Sequence, residues 1–288
     1  MNSDVSIYIP AFNAENTINE CLNSIFKQTI YPAEILVIND CSTDNTYKIL
    51  KKYNDKIKVI NNKKNLGLSC SMNIANENLK TRYIAKIDAD VELETEWLEK
   101  NLNKLKSKNG EITLIGGKMY EKYINNPYNL WRSKRLKQHW GEKDILNPIL
   151  IFGCNNIVDT QNIDMKNIYR TDHEYYKTNG EDIEFCKFLK KKSLNTYYYS
   201  NAICYHLQND SGKTLANRYY RWMLYGDGLK KKNLFKTIKN CLRHLRKTIK
   251  WSLEDLIQLD YKLIKVNLVL FFYYLIIDFK SYKNNRND

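Results

Sequence analysis

Although the 288-residue sequence carries seven cysteines, no two of them stand at C-x-x-C spacing. Cys21, Cys41, Cys70, Cys154, Cys186, Cys204 and Cys241 form an odd, scattered set. That argues against a zinc cluster and a disulfide framework and for a reducing compartment. No internal repeat or low-complexity linker is present, which argues against a repeat architecture. The first residues lack a basic stretch followed by an apolar core, so export is not expected and a cytoplasmic location is. No G-x-G-x-x-G follows the first apolar segment, which ends in Pro10-Ala11-Phe12-Asn13, and this disfavours a nicotinamide dehydrogenase. The apolar run from Val266 to Ile277 falls short of the roughly 20 residues that a membrane-spanning helix needs.

What is present belongs to a globular protein: 43% of residues are hydrophobic and 27% charged. Lys and Arg exceed Asp and Glu by 46 to 32, a net charge of +14. Such a surplus suits an anionic partner, whether a nucleoside diphosphate, a phospholipid surface, a phosphorylated acceptor or nucleic acid. It also suits an AT-rich coding bias, because Lys, Asn, Ile and Tyr are abundant together.

Val5 to Ile9 reads as a buried strand stopped by Pro10, with Asn13 placed to cap a helix carrying Ile18, Cys21, Leu22, Ile25 and Phe26 on one stripe. Ile35 to Ile38 reads as a second strand, followed by a turn and a helix bearing Ile49, Leu50 and Tyr53. A strand at 58–60, a helix at 69–79 and a strand at 83–87 continue the alternation. A helix near 95–106 and a strand near 112–115 follow. Residues 117–148 have the composition of a variable, substrate-facing region. A strand over 149–158 is interrupted by Gly153, a helix opens at Glu181-Asp182, and two strands are expected at 195–200 and 202–206. The alternation predicts a mostly parallel α/β sheet with helices on both faces, and ligands in such sheets sit at the carboxyl ends of the strands.

Asp88-Ala89-Asp90 falls at such an end. Two carboxylates around one small residue can reach a divalent cation, Mn²⁺ or Mg²⁺, and its bound diphosphate. By itself a D-x-D is common and fits a solvated loop equally well. Asp40, at the end of the second strand, can accept from a nucleobase N–H or serve as a turn residue, although Asp44 is better placed to cap the next helix.

In order and spacing, these segments resemble the inverting family 2 glycosyltransferases of the GT-A fold. Ser6 to Glu15 is similar to that family's first strand and loop. Phe26-Lys27-Gln28-Thr29, Ile38-Asn39-Asp40-Cys41-Ser42-Thr43-Asp44, Asn65-Leu66-Gly67, Asn73 and Ile87-Asp88-Ala89-Asp90 are similar to its next landmarks. The resemblance covers about residues 5–92 and implies a Rossmann-like fold and a nucleotide-sugar donor, with a UDP-sugar expected. It implies donor contacts at Pro10, Ala11, Phe12, Asn13 and Gly67, the base at Asp40, ribose or metal at Asp88, and metal at Asp90. Two positions depart from the pattern: Asn39 replaces the first of a paired acid, and Cys41 replaces the turn glycine.

Past residue 92 the resemblance thins. Gly180-Glu181-Asp182 matches an acidic motif that opens an acceptor-side helix, and Asp182 is the implied general base; paired acids at a helix N-terminus are also favourable in themselves. His206 is a candidate metal or diphosphate ligand, or a structural histidine. Arg221 and Trp222 lie in a segment that partly resembles Q-x-x-R-W and are candidate substrate contacts. The expected division is a catalytic domain over 1–228, with a donor half at 1–110 and an acceptor half at 111–228, followed by a basic helical tail over 229–288. The tail either packs on the catalytic domain or lies on anionic lipid at the inner face of the plasma membrane. The acceptor implied is a glycan or a lipid-linked glycan. The competing readings are a catalytically degenerate binding module and, least favoured, nucleic-acid binding through the tail.

Overall fold

The computed structural model describes residues 4–172, 174–223 and 234–284. The chain forms two compact units, one of residues 1–122 and 137–207 and the other of residues 123–136 and 208–288.

The first unit is built on a nine-stranded mixed sheet. Strands β1 (Val5–Ala11), β2 (Glu34–Asn39), β3 (Lys58–Asn61) and β4 (Tyr83–Ile87) form its parallel part, in the order β3-β2-β1-β4. Between them run α1 (Ile18–Phe26), α2 (Thr46–Leu50) and α3 (Leu68–Asn78). After β5 (Val91–Leu93) and α4 (Trp97–Ser107) come β6 (Ile112–Glu121), β7 (Ile145–Leu146), β8 (Asn155–Asp159), α6 (Glu181–Lys191) and β9 (Asn195–His206); α5 (Pro127–Arg135) belongs to the second unit. β8 enters antiparallel between β4 and β6, β9 runs parallel to β6, and β5 and β7 pair antiparallel with β9.

Alternation along the strands explains the layers, since successive side chains leave a strand on opposite faces. Ile7, Ile9, Ile35, Val37, Ala85 and Ile87 meet α1 and α4, where Leu22, Ile25, Trp97 and Leu98 are fully buried. Each large side chain buried there contributes about 1.5–3 kcal/mol. Tyr8, Leu36, Ile38 and Ile84 point the other way, toward Met72 and Ala75 of α3 and Phe185 and Leu189 of α6.

The structure corrects several local expectations. β1 runs through Pro10 to Ala11. The Val5 and Ala11 carbonyls accept from the β2 side, whereas Ser6 N–H donates to Thr81 before β4. By alternation Pro10 therefore faces the β4 side, where pairing has already ended at Tyr8, and its missing N–H forfeits no ladder bond. Asn13 does not cap α1, whose first turn follows Thr17. β6 extends to Glu121, well past the expected 115, and the strand around Gly153 starts only at Asn155. Ser200 and Asn201 do not divide β9, which is one strand with a shift of register against β6.

The second unit contains α5, α7 (Gly212–Met223), α8 (Leu234–Ile257) and α9 (Tyr261–Asn284). Asn126 caps α5 by accepting from the Tyr128 N–H, with Pro127 at the first helical position. Trp131, Leu215, Tyr219, Leu263, Leu270 and Tyr274 form its apolar core. A buried polar set is threaded through it: Trp131 Nε1 donates to Asn267 (2.6 Å), Arg132 pairs with Asp210 (2.9 Å) and Arg135 with Asp255 (2.7 Å).

Candidate active site

β4 carries a charge into the sheet. Lys86 shares its face with Ile84 and is 1% exposed, yet its ammonium lies 2.6 Å from Asp88 Oδ1 and 3.7 Å from Glu181 Oε1. Burial by itself lowers a lysine pKa, but Asp88 and Glu181 outweigh it and hold Lys86 charged, above the ordinary lysine range. Asp88 is pushed up by burial and by the charge of Asp90, while Lys86 pulls it down.

The second carboxylate pair arrives on α6. Gly180, at φ 83°, takes a left-handed conformation that turns the chain into the helix. Glu181 is buried, and burial together with the charge of Asp182 pushes its pKa up to about 7. Asp182 is half-buried and accepts from the N–H groups of Ile183 (2.8 Å) and Gly153 (3.3 Å). Burial raises its pKa against those bonds. Gly153 makes room for this approach: a Cβ there would lie 2.9 Å from Glu181 Oε1 and 3.2 Å from Asp182 Cβ.

Asp90 belongs to a third group. Its Oδ2 lies 3.3 Å from His206 Nε2, and His206 Nδ1 is 2.9 Å from Glu121 Oε2. β5 and β9 pair Val91 with His206, and Leu207 N–H donates to the Asp90 carbonyl, which fixes the two side chains together. A carboxylate on one imidazole nitrogen orients the ring and leaves the other for a partner, the usual arrangement behind a metal-ligating histidine. Among the described residues no group of three or more His, Cys, Asp or Glu is assembled to hold a metal ion on its own.

The loops after β1 and β2 are tied to each other. Asn13, at φ 50°, accepts from the Thr43 N–H and donates its own N–H to Ser42. Asp44 accepts from the N–H groups of Thr46 and Glu15, so it braces the start of α2 and the first loop, although the N-cap position of α2 is Asn45 and not Asp44. Cys41 takes the left-handed conformation, φ 59°, without the freedom of glycine. Asp40 is 3% exposed and accepts from Asn62, from Leu66 N–H and from Gly67 N–H at 2.7–2.8 Å. Gly67 has φ 89° and packs so closely on Lys177 that a Cβ would lie 2.6 Å from its Cα. Phe12 is exposed at the loop tip.

The structure thus joins Asp88 to Asp182 through Lys86 and Glu181, and joins Asp90 to His206 and Glu121. Asp40, Gly67 and Asn13 hold the neighbouring loops. Arg221 and Trp222 sit on the last turn of α7, and their side chains lie outside the described residues. Three residues escaped sequence reasoning: Lys86, Glu121 and Gly153 in its packing role. For Lys86 a signal existed, a lone lysine inside an apolar central strand; Glu121 gave none, because β6 was expected to end at 115. A cavity of about 530 Å³ lined by Asn76, Lys80, Thr81 and Thr160 opens at the other end of β4, away from these acids.

The family model for Glycosyl transferase family 2 matches residues 6–198. An uncharacterized glycosyltransferase of Haemophilus influenzae is 31% identical over 230 residues, 74% of this chain and 68% of that protein. The putative teichuronic acid biosynthesis glycosyltransferase TuaG of Bacillus subtilis is 28% identical over 222 residues, 72% of this chain and 80% of TuaG. Among solved structures, residues 1–349 of S. aureus TarS in complex with UDP align with a TM-score of 0.56 at 19% identity, covering 100% of this chain and 90% of that one. That last likeness speaks for the fold, which is GT-A. The family match spans about two-thirds of the sequence, and this chain belongs to glycosyl transferase family 2 and is a glycosyltransferase.

Proposed function

We propose that the enzyme transfers a sugar from a nucleoside diphosphate sugar, a UDP-sugar, to a hydroxyl of a glycan or lipid-linked glycan, with inversion at the anomeric carbon. The observation that carries this reading is the placement of Asp88 and Asp90 after β4, with Lys86 pairing Asp88 to Glu181, the neighbour of a half-buried Asp182 at the start of α6. The TarS fragment carries UDP and TuaG bears a teichuronic acid biosynthesis name, and both support a nucleotide donor and a surface glycan. The catalytic part is read as residues 1–228.

In a single displacement the acceptor oxygen bonds to the anomeric carbon as the bond to the diphosphate oxygen breaks. The acceptor proton goes to the Asp182 carboxylate, and the electron pair leaves on the diphosphate. A raised pKa suits Asp182 to this task, because a base closer to neutrality takes a proton more readily. Lys86 favours the ionised form of Asp88 beside the donor, against the burial that raises its pKa. Asp40 has one lone-pair direction left beyond its three internal bonds and would reach the base with it, while Asn13 and Gly67 shape the loops around it. Asp90 and His206, two donors steadied by Glu121, would hold a divalent cation such as Mn²⁺ or Mg²⁺. When bound, such an ion offsets charge on the leaving diphosphate.

The test is Asp182→Asn. Its UDP affinity, measured by calorimetry, is expected to match the wild type, while transfer from UDP-sugars falls by roughly 10²–10⁴-fold. Transfer at the wild-type rate removes Asp182 from the mechanism. A wild-type protein that binds UDP and transfers nothing across donor and acceptor panels is instead a degenerate binding module.

A further inference from the structure

Helix α8 is built inside out. At 100° per residue, Phe235, Ile238, Leu242, Leu245, Ile249 and Leu256 fall on one stripe, and all are exposed, Phe235 by 77% and Ile249 by 52%. The face that packs into the second unit is mostly polar: Thr237, His244, Thr248 and Asp255 are its buried residues, beside a partly buried Trp251 that meets Trp131. These side chains fix the rotation of the helix. His244 Nε2 lies 3.2 Å from Asp278 of α9, and Asp255 pairs with Arg135 and accepts from Asn267 (2.8 Å). Turning the apolar stripe inward would strand those groups, each at a cost of the order of its desolvation. A third face, beside the stripe, carries exposed Lys239, Arg246 and Lys250.

An apolar stripe from Phe235 to Ile257, on the order of 33 Å long, is a contiguous exposed patch of the kind that marks an interaction site. α9 adds exposed Leu268, Phe272, Ile276 and Phe279. The charge pattern selects among occupants. α8 offers a second copy a single partly exposed acid, Glu254, which pairs with Arg135 and lies 3.9 Å from Lys250; its other acid, Asp255, is buried. An anionic bilayer surface satisfies both features, taking the stripe into its acyl boundary and the basic border onto its headgroups. Among the described residues no helix is long and apolar enough to cross a membrane.

We propose that the outward face of α8, extended by α9, is a docking surface for anionic lipid on which the helix lies in the plane of the bilayer. The full-length protein is mixed with vesicles of phosphatidylcholine, alone or with an equal part of phosphatidylglycerol, and sedimented. The wild type sediments with the anionic vesicles. Lys239→Ala, Arg246→Ala and Lys250→Ala combined weaken that binding roughly a hundredfold, and Leu242→Glu with Ile249→Glu weakens it at least about tenfold. All these positions are exposed, so the circular dichroism of each variant should match the wild type. Leu245→Trp keeps the face apolar, and its added fluorescence shifts to the blue on anionic vesicles. Wild type that stays in the supernatant with both vesicle types overturns the proposal, as does an unshifted Leu245→Trp. A wild-type dimer that the two glutamates convert to monomer, with no vesicle binding, assigns the face to a second copy instead.

Discussion

β4 and α8 both invert the usual rule that charge faces water and apolar side chains face inward. In β4 the buried ammonium of Lys86 meets Asp88 and Glu181 from the same chain. In α8 the exposed apolar stripe meets nothing from its own helix, and the polar groups on its buried face are the ones with partners. The difference separates two kinds of exception. One is compensated internally and builds a site; the other is left open and calls for something outside the chain.

The comparison is broken most severely at Lys86. Lys86→Met leaves Asp88 and Glu181 in a buried setting without their counter-charge, and is expected to cost about 3–5 kcal/mol in denaturant unfolding. A cost under about 1 kcal/mol would show that the pairing is incidental. The pH dependence of folding sharpens the same point. Glu181 titrates near 7 in the fold and near 4.5 when unfolded, so the folded chain keeps a proton that the unfolded chain loses between those values. Its contribution to stability is therefore present below pH 4.5 and declines as pH rises toward 7 and beyond. Glu181→Gln should lack that decline in a series of urea midpoints from pH 5 to pH 8. Cys41→Gly relieves a left-handed backbone at a non-glycine residue and should stabilise by about 1 kcal/mol in thermal unfolding. At the other end of the comparison, Ile249→Glu places a charge on the open stripe of α8. It should change stability in buffer by no more than about 0.5 kcal/mol. A larger loss would mean that this face is covered by the chain itself.

Much of the parallel half of the sheet was readable in the sequence, because Ile35 to Ile38 and Tyr83 to Ile87 are short apolar runs bounded by polar turns. Asp88, Asp90 and Asp182 were singled out in the sequence by their positions after a strand or at the start of a helix together with the resemblance to family 2, and the structure brings Asp88 near Glu181 and Asp90 near His206. The later strands were less readable. Ser200 and Asn201 look like a break, but β9 continues past them because β6 pairs with it on either side, at Tyr198 and at Ile203, across a shift of register. The links between sites are also long-range. Lys86 reaches Glu181 across 95 positions, and His206 reaches Glu121 across 85. Periodicity marked α8 as amphipathic yet could not say which face turns inward, since that is decided by Arg135, Asn267 and Asp278 on other helices.

The most direct test of the donor site is titration calorimetry of UDP into wild type and Asp90→Ala, with and without Mn²⁺. Binding that needs the metal and disappears in the variant is the predicted result. Equal binding without metal, or by the variant, would contradict the placement of the diphosphate at Asp90 and His206.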